Sequence, residues 1–171
     1  IIVHSVLSWI FGMTMRPGWH STIFGPYFVL AAIYSGTGVL IIAMWIFRKV
    51  YKLDGYLEDK HFINLGYIMM ALASAYGYFT FSEYLTDWYS SEKWNSEVIA
   101  KIFSLEEYGG WFLFANIAGI VLPITVVAVP KLRQPNLITI AASFMVMAMW
   151  VKRYLIVVPT LESPLFPIQD T

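Results

Sequence analysis

The sequence predicts an all-α, multi-pass transmembrane helix bundle, and three observations predict it. Of its 171 residues, 58% are apolar and only 13% charged, with a mean hydropathy of +0.64. A water-soluble domain is usually about a quarter charged, and one this small could not hide so much apolar surface in its own core. The apolar residues fall in runs of the length a membrane-crossing helix requires, about 20 residues. The aromatic share of 18% fits the Trp and Tyr belts found at membrane interfaces.

Residues 1–13 are apolar but too short to span, and Arg16-Pro17-Gly18 ends them. The opening Ile1-Ile2-Val3 has no basic segment or cleavage site of a signal peptide and reads as the second half of a helix. Residues 1–171 are therefore expected to be one transmembrane domain, the C-terminal part of a larger bundle. Residues 22–47 form the first full span; Gly25, Gly36 and Gly38 inside it are small enough to let neighbouring helices approach. Arg48-Lys49 and Lys52 stop it. Residues 62–81 form the second span, its helix continuing past Glu83 toward Tyr89.

A polar loop over residues 90–108 is expected to hold a short interfacial helix carrying Val98, Ile102, Phe103 and Leu105. Residues 110–129 make the third span, with Asn116 and Pro123 inside it. Residues 137–158 make the fourth. The tail, 159–171, carries three prolines and reads as irregular. The count is four full spans plus part of a fifth.

Charge distribution orients the bundle. Arg48, Lys49, Lys52, Lys60, Lys131 and Arg133 fall on one side, and Arg16, Lys93 and Lys101 with most loop carboxylates on the other. The excess of basic residues places the first side in the cytoplasm and the second in the periplasm or exterior. A net charge of zero gives no signal for nucleic acid. With no cysteine, the chain cannot hold a disulfide, a thiolate-ligated iron–sulfur cluster or a Cys-based zinc site. A cluster or c-type haem would belong to a partner. No P-loop, phosphate-binding glycine loop, nucleophile elbow or metal-ligand spacing is present.

Ionisable groups at membrane depth are expensive and mark ion, proton or ligand sites. Lys152 and Arg153 interrupt the last span; snorkelling to the interface and a role in proton or ligand handling are both open to them. Glu83 and Asp87 lie at i and i+4 on one helix face, either as a helix end emerging into water or as a pair holding an exchangeable proton. Trp88 and Tyr89 beside them suit an interfacial belt. His4 sits at mid-depth near Ser5 and Ser8, and His20 follows Trp19 in an outer turn; neither has a partner at i+3 or i+4 to form a ligand pair. His4, His20, Glu83, Asp87, Lys152 and Arg153 all fall in the same outer half of the membrane. That shared level is what a quinol site needs, since oxidising a quinol releases two protons into titratable acceptors beside an apolar cleft. Ser74, Asn116, Thr139 and Ser143 are expected to serve as interhelical hydrogen-bond glue.

The runs His4-Ser5-Val6-Leu7-Ser8 and Pro17-Gly18-Trp19-His20-Ser21-Thr22-Ile23-Phe24-Gly25-Pro26-Tyr27-Phe28-Val29 resemble the NrfD/polysulfide-reductase membrane-subunit family. Glu83 followed by Asp87-Trp88-Tyr89-Ser90, and Met149-Trp150-Val151-Lys152-Arg153-Tyr154-Leu155, agree in order with it. Within that family the sequence is most similar to the quinol-oxidising subunit of bacterial alternative complex III and its paralogue. The resemblance implies a subunit that binds menaquinol or another quinol near the periplasmic face and carries no haem or cluster of its own. It also implies an iron–sulfur partner, multihaem cytochrome c subunits, a paralogous membrane subunit and inward proton movement. On this reading His4, His20, Glu83 and Asp87 are proton acceptors or relays, and Trp19, His20, Trp88, Tyr89, Lys152 and Arg153 line the quinol pocket or proton path. One departure stands out: the family often carries an acidic residue shortly after the His-Ser pair, where this sequence reads Trp9-Ile10-Phe11. An apolar Ile10 cannot relay a proton, which leaves open a structural or proton-conducting paralogue without a quinone site. The anchor of a molybdenum oxidoreductase is a further alternative.

Overall fold

Long apolar stretches in lipid must satisfy every backbone polar group internally, and helices do so. The computed structural model describes residues 2–14, 23–90 and 93–162, with the backbone alone at 90 and 93–97. Among them are α1 (Ile2–Gly12), α2 (Phe24–Val50), α3 (Asp59–Ser90), α4 (Lys93–Phe103), α5 (Gly109–Asn116), a π-helical turn (Ile117–Val121), α6 (Leu122–Ala128) and α7 (Pro135–Glu162). Four segments are long and apolar enough to cross a membrane: Phe24–Val50, Asp59–Tyr89, Gly109–Ala128 and Pro135–Glu162. α1 is apolar but shorter. The chain is an integral membrane protein of the all-α class.

The bundle is apolar on the outside as well as within. Val39, Leu40, Phe81, Leu113, Ile140 and Met147 stand at the surface, as side chains facing acyl chains should. The inner stripe of α7 runs through Ile138, Ala142, Met145, Met149, Lys152 and Leu155, all buried at helical spacing. Lys152 therefore lies in register with the core, whereas Arg153, about 100° round the helix, is exposed. α7 packs most extensively on α2. Gly38 permits the approach, because a Cβ there would collide with Met145 Cε and press on Val146. A Cβ at Gly25 would meet Ser8 and Trp9 of α1 only at ordinary van der Waals distance, and one at Gly36 would meet nothing among the described residues.

At the basic end, Arg48 pairs with Asp54 at 2.8 Å and with Asp59 at 2.6 Å, and Trp45 Nε1 donates to Asn136 Oδ1 at 3.0 Å. The α2–α3 turn begins with Lys52 in the left-handed region (φ 52°), and the Leu53 N–H returns to the Arg48 carbonyl at 3.1 Å. Arg133 donates to the Val127 carbonyl at 2.8 Å, serving the last turn of α6. At the other end Tyr108 donates to Glu162 at 2.9 Å, and that bond pushes the tyrosine hydroxyl up to about 12.

One proline departs from its sequence expectation, and a second reshapes the helix that holds it. α7 does not stop at Pro159 but runs through it to Glu162, with Pro159 fully buried. Residues 163–171 lie outside the described residues. Proline removes one helix donor, yet spanning helices tolerate it when nearby hydroxyls and packing serve the loosened turn. Here the Thr160 hydroxyl donates to the Ile156 and Val157 carbonyls at 2.9 Å. Pro123 cannot supply the N–H that the Gly119 carbonyl would receive in an α-helix, and its ring would crowd that carbonyl. The helix widens to a π turn just before it, where the Leu122 N–H reaches the Ile117 carbonyl, and the Tyr34 hydroxyl donates to Gly119 O at 2.6 Å.

The expected polar glue is also redirected. Ser74, Asn116, Thr139 and Ser143 each donate to the carbonyl four residues earlier on their own helix. In a helix that carbonyl is the nearest acceptor, so a short side chain returns to it before reaching a neighbour. Among the described residues, Tyr27, Tyr34 and Tyr84 make interhelical bonds instead.

Candidate functional site: a polar cluster between two cavities

Tyr76, Thr80 and Tyr84 recur every four residues, so they stack along one face of α3 in its C-terminal half. Opposite Tyr76 and Thr80 stands Tyr27 of α2. Its ring stacks on Tyr76 with centroids 5.0 Å apart, and its hydroxyl lies 3.0 Å from both the Tyr76 hydroxyl and Thr80 Oγ1. Thr80 also donates to the Tyr76 carbonyl at 2.9 Å. One turn further out, Lys152 Nζ of α7 donates to the Tyr84 hydroxyl at 2.8 Å. The ammonium also lies 4.4 Å from the Tyr84 ring centroid and 5.5 Å from that of Phe112, so two aromatic π-systems and an oxygen share the work of solvating it. Lys152 is only 4% exposed and does not snorkel. Glu83, also buried, feels the charge of both Lys152 and Asp87.

The cluster separates two cavities. The first, of about 340 Å³, lies among α1, α2, α3 and α7; His4, Tyr27, Tyr76, Lys152 and Arg153 supply its polar groups, and Phe24, Phe28 and Met149 are among its apolar walls. His4 packs on Phe28 with ring centroids 6.1 Å apart. The second, of about 550 Å³, lies among α3, α4 and α5, where Thr80, Tyr84, Trp88, Phe103, Phe112 and Asn116 line it. α4 packs over this side through buried Val98 and Ile102, while Phe103 is half exposed and Leu105, beyond the helix end, faces outward.

A family model for the polysulphide reductase NrfD matches residues 1–163. The chain belongs to the NrfD family. No individual curated protein matches it. NrfD membership and the apolar spans together make it a multi-pass membrane protein of a redox-associated family.

Of the residues singled out in this NrfD chain, His4, Lys152 and Arg153 share the first cavity. Glu83 is buried behind the Thr80–Tyr84 face without lining either cavity, and Asp87 is half-buried one turn further out. Trp88 lines the second cavity; Tyr89, about 100° round the helix, is exposed and lines neither. Trp19 and His20 lie outside the described residues. Sequence reasoning passed over Tyr27, Tyr76, Thr80 and Tyr84 because tyrosine near a span end fits an interfacial belt. The signal was their spacing: Tyr76 falls fourteen residues inside the end of α3, too deep for a belt, and begins an i, i+4, i+8 row of hydroxyls.

Proposed function

We propose that this NrfD chain is a membrane subunit of a quinol-oxidising electron-transfer complex and takes the quinol headgroup in the cavity among α1, α2, α3 and α7. The observation that carries the proposal is the cavity itself: about 340 Å³ of mostly apolar space whose lining includes His4, Tyr27, Tyr76, Lys152 and Arg153. Its size and lining are those of a small-molecule site. A quinol oxidised there gives up two electrons and two protons and leaves as the quinone. On this reading His4 and Tyr27 accept hydrogen bonds from the ring hydroxyls, and Lys152 and Arg153 stabilise negative charge developing on the ring oxygens. Past Arg153 and Met149, both shared with an open groove bordered by Trp111 and Trp150, an apolar path receives the isoprenoid tail. Electrons pass to an iron–sulfur subunit on the outer side and onward to multihaem cytochrome c, with a paralogous membrane subunit beside this one in a bacterial inner membrane. Menaquinol is the proposed quinol.

Ile10 favours a second reading. It stands where the family often has an acid, and at 57% exposed it faces away from the core. On that reading the chain is a structural or proton-conducting paralogue without a quinone. The NrfD family's name also admits the anchor of a molybdenum oxidoreductase running in the reducing direction. The test is quinol titration and turnover of the intact complex in lipid nanodiscs, with wild type beside His4→Leu. Binding by wild type and a loss of turnover on the order of 10²-fold in the variant are expected. Unchanged turnover with the complex fully assembled would refute the assignment.

A further inference from the structure

We infer that the second cavity, beneath α4, is the proton outlet of the quinol site, reached through two hydrogen bonds that cross the α3 wall. The inference rests on the quinol reading above and goes beyond it by assigning the exit.

Tyr27 and Lys152 line the first cavity, while Thr80 and Tyr84 line the second. Each residue of one pair is bonded to a residue of the other: Tyr27 Oη to Thr80 Oγ1 at 3.0 Å and Lys152 Nζ to Tyr84 Oη at 2.8 Å. Tyr27, Thr80 and Lys152 are each at most 4% exposed, so within the wall these bonds are continuous protein contacts. An apolar partition would serve packing better, because each buried hydroxyl and the ammonium carries a desolvation cost.

The Tyr27–Thr80 crossing has two hydrogen arrangements. In one, Tyr27 donates to Tyr76 and Thr80 donates to Tyr27; in the other, Tyr27 donates to Thr80, which donates to the Tyr76 carbonyl. A hydroxyl both gives and accepts, so a proton entering at Tyr27 from a ring hydroxyl is matched by one leaving Tyr27 for Thr80, while Thr80's own hydrogen, turned away from the Tyr76 carbonyl, passes to water in the second cavity. No protein group changes its net protonation. The electrons leave separately to the iron–sulfur acceptor, and a second passage disposes of the second proton. At the other crossing Tyr84 accepts from Lys152, so its own hydrogen is not spent on that bond and is available to the second cavity. Glu83, between Thr80 and Tyr84 in sequence, is a buried carboxyl on the same helix, and Asp87 continues the acidic series outward.

The experiment uses the intact complex in nanodiscs, with a soluble menaquinol analogue and a pH-indicating dye, read by stopped flow. Thr80→Val and Tyr84→Phe block one crossing each, and their combination blocks both. The double variant is expected to bind the quinol analogue as wild type does, to slow oxidation and proton release together by on the order of 10²-fold, and to alter the solvent isotope effect. Thr80→Ser, which keeps the hydroxyl, restores the rate in the Thr80→Val position. Wild-type rates and isotope effect in the double variant would overturn the outlet while leaving the quinol site standing. Loss of quinol binding in the variants would also overturn it, since the hydroxyls would then shape the pocket. Failure of wild type to bind or oxidise the analogue would overturn both readings.

Discussion

An ammonium in the hydrocarbon layer costs about 3 kcal/mol even on the mildest scales. Lys152 meets that cost with a hydroxyl at 2.8 Å and the rings of Tyr84 and Phe112. A hydrogen bond to a buried charge contributes about 1.5–3 kcal/mol, and deleting only the acceptor leaves the charge stranded. Tyr84→Phe is therefore expected to lose about 2 kcal/mol in an otherwise wild-type chain, yet much less in a Lys152→Met background, where no charge remains. A double-mutant cycle on reversible detergent unfolding measures the difference; equal losses in both backgrounds would show that the hydroxyl acts through other contacts. The cations and His4 were legible in the sequence because an ionisable group inside an apolar run is conspicuous. The tyrosines were not, because an amphipathic ring is at home both in the core and at the interface. Only the tertiary pairing of Tyr27 with Tyr76 and Thr80 distinguishes the two.

Helix packing turns on the small residues that let backbones approach. Gly38 faces Met145 and Val146 of α7, while Gly36, little more than half a turn away, faces open surface. Gly38→Val is expected to part α2 from α7 and destabilise the bundle by about 1–3 kcal/mol, the usual cost of overpacking. Gly36→Ala is expected to be neutral or to gain up to about 1 kcal/mol from helix propensity. Detergent-unfolding midpoints of the two variants check the contrast, and similar losses would count against this packing. All four spans were legible from run length and hydropathy, since lipid imposes both. The π turn was not: Pro123 is visible in the sequence, but whether a helix kinks, stops or widens there depends on who serves Gly119, and Tyr34 is 85 residues away. Pro159 was misread as the start of the tail for the same reason, its burial being set by neighbouring helices.

Across the whole molecule, the basic groups around Arg48 and Asn136 gather at one end and the polar cluster lies toward the other. If the basic end faces the cytoplasm, Tyr56, 82% exposed in the α2–α3 turn, is cytoplasmic and Glu106 is periplasmic. The absence of cysteine makes this simple to test, because Tyr56→Cys or Glu106→Cys would introduce a single thiol. An impermeant maleimide added to intact cells is expected to label only the second variant; the reverse would invert the bundle and put the proposed outlet on the wrong side. The gathering of basic residues at one end was legible from loop charge, whereas the presence of two cavities was not, since no periodicity reveals empty space. The lower half of α3 is fixed, with Phe62, Met69 and Ala73 completely enclosed, while its upper half stands between those two spaces. Tyr27 and Lys152 tether that upper half from α2 and α7, so the same rod walls both chambers, and a shift toward one enlarges the other. Were a quinol headgroup to fill the first chamber, it would also set how much room is left for water on the far flank, linking occupancy to drainage through one helix.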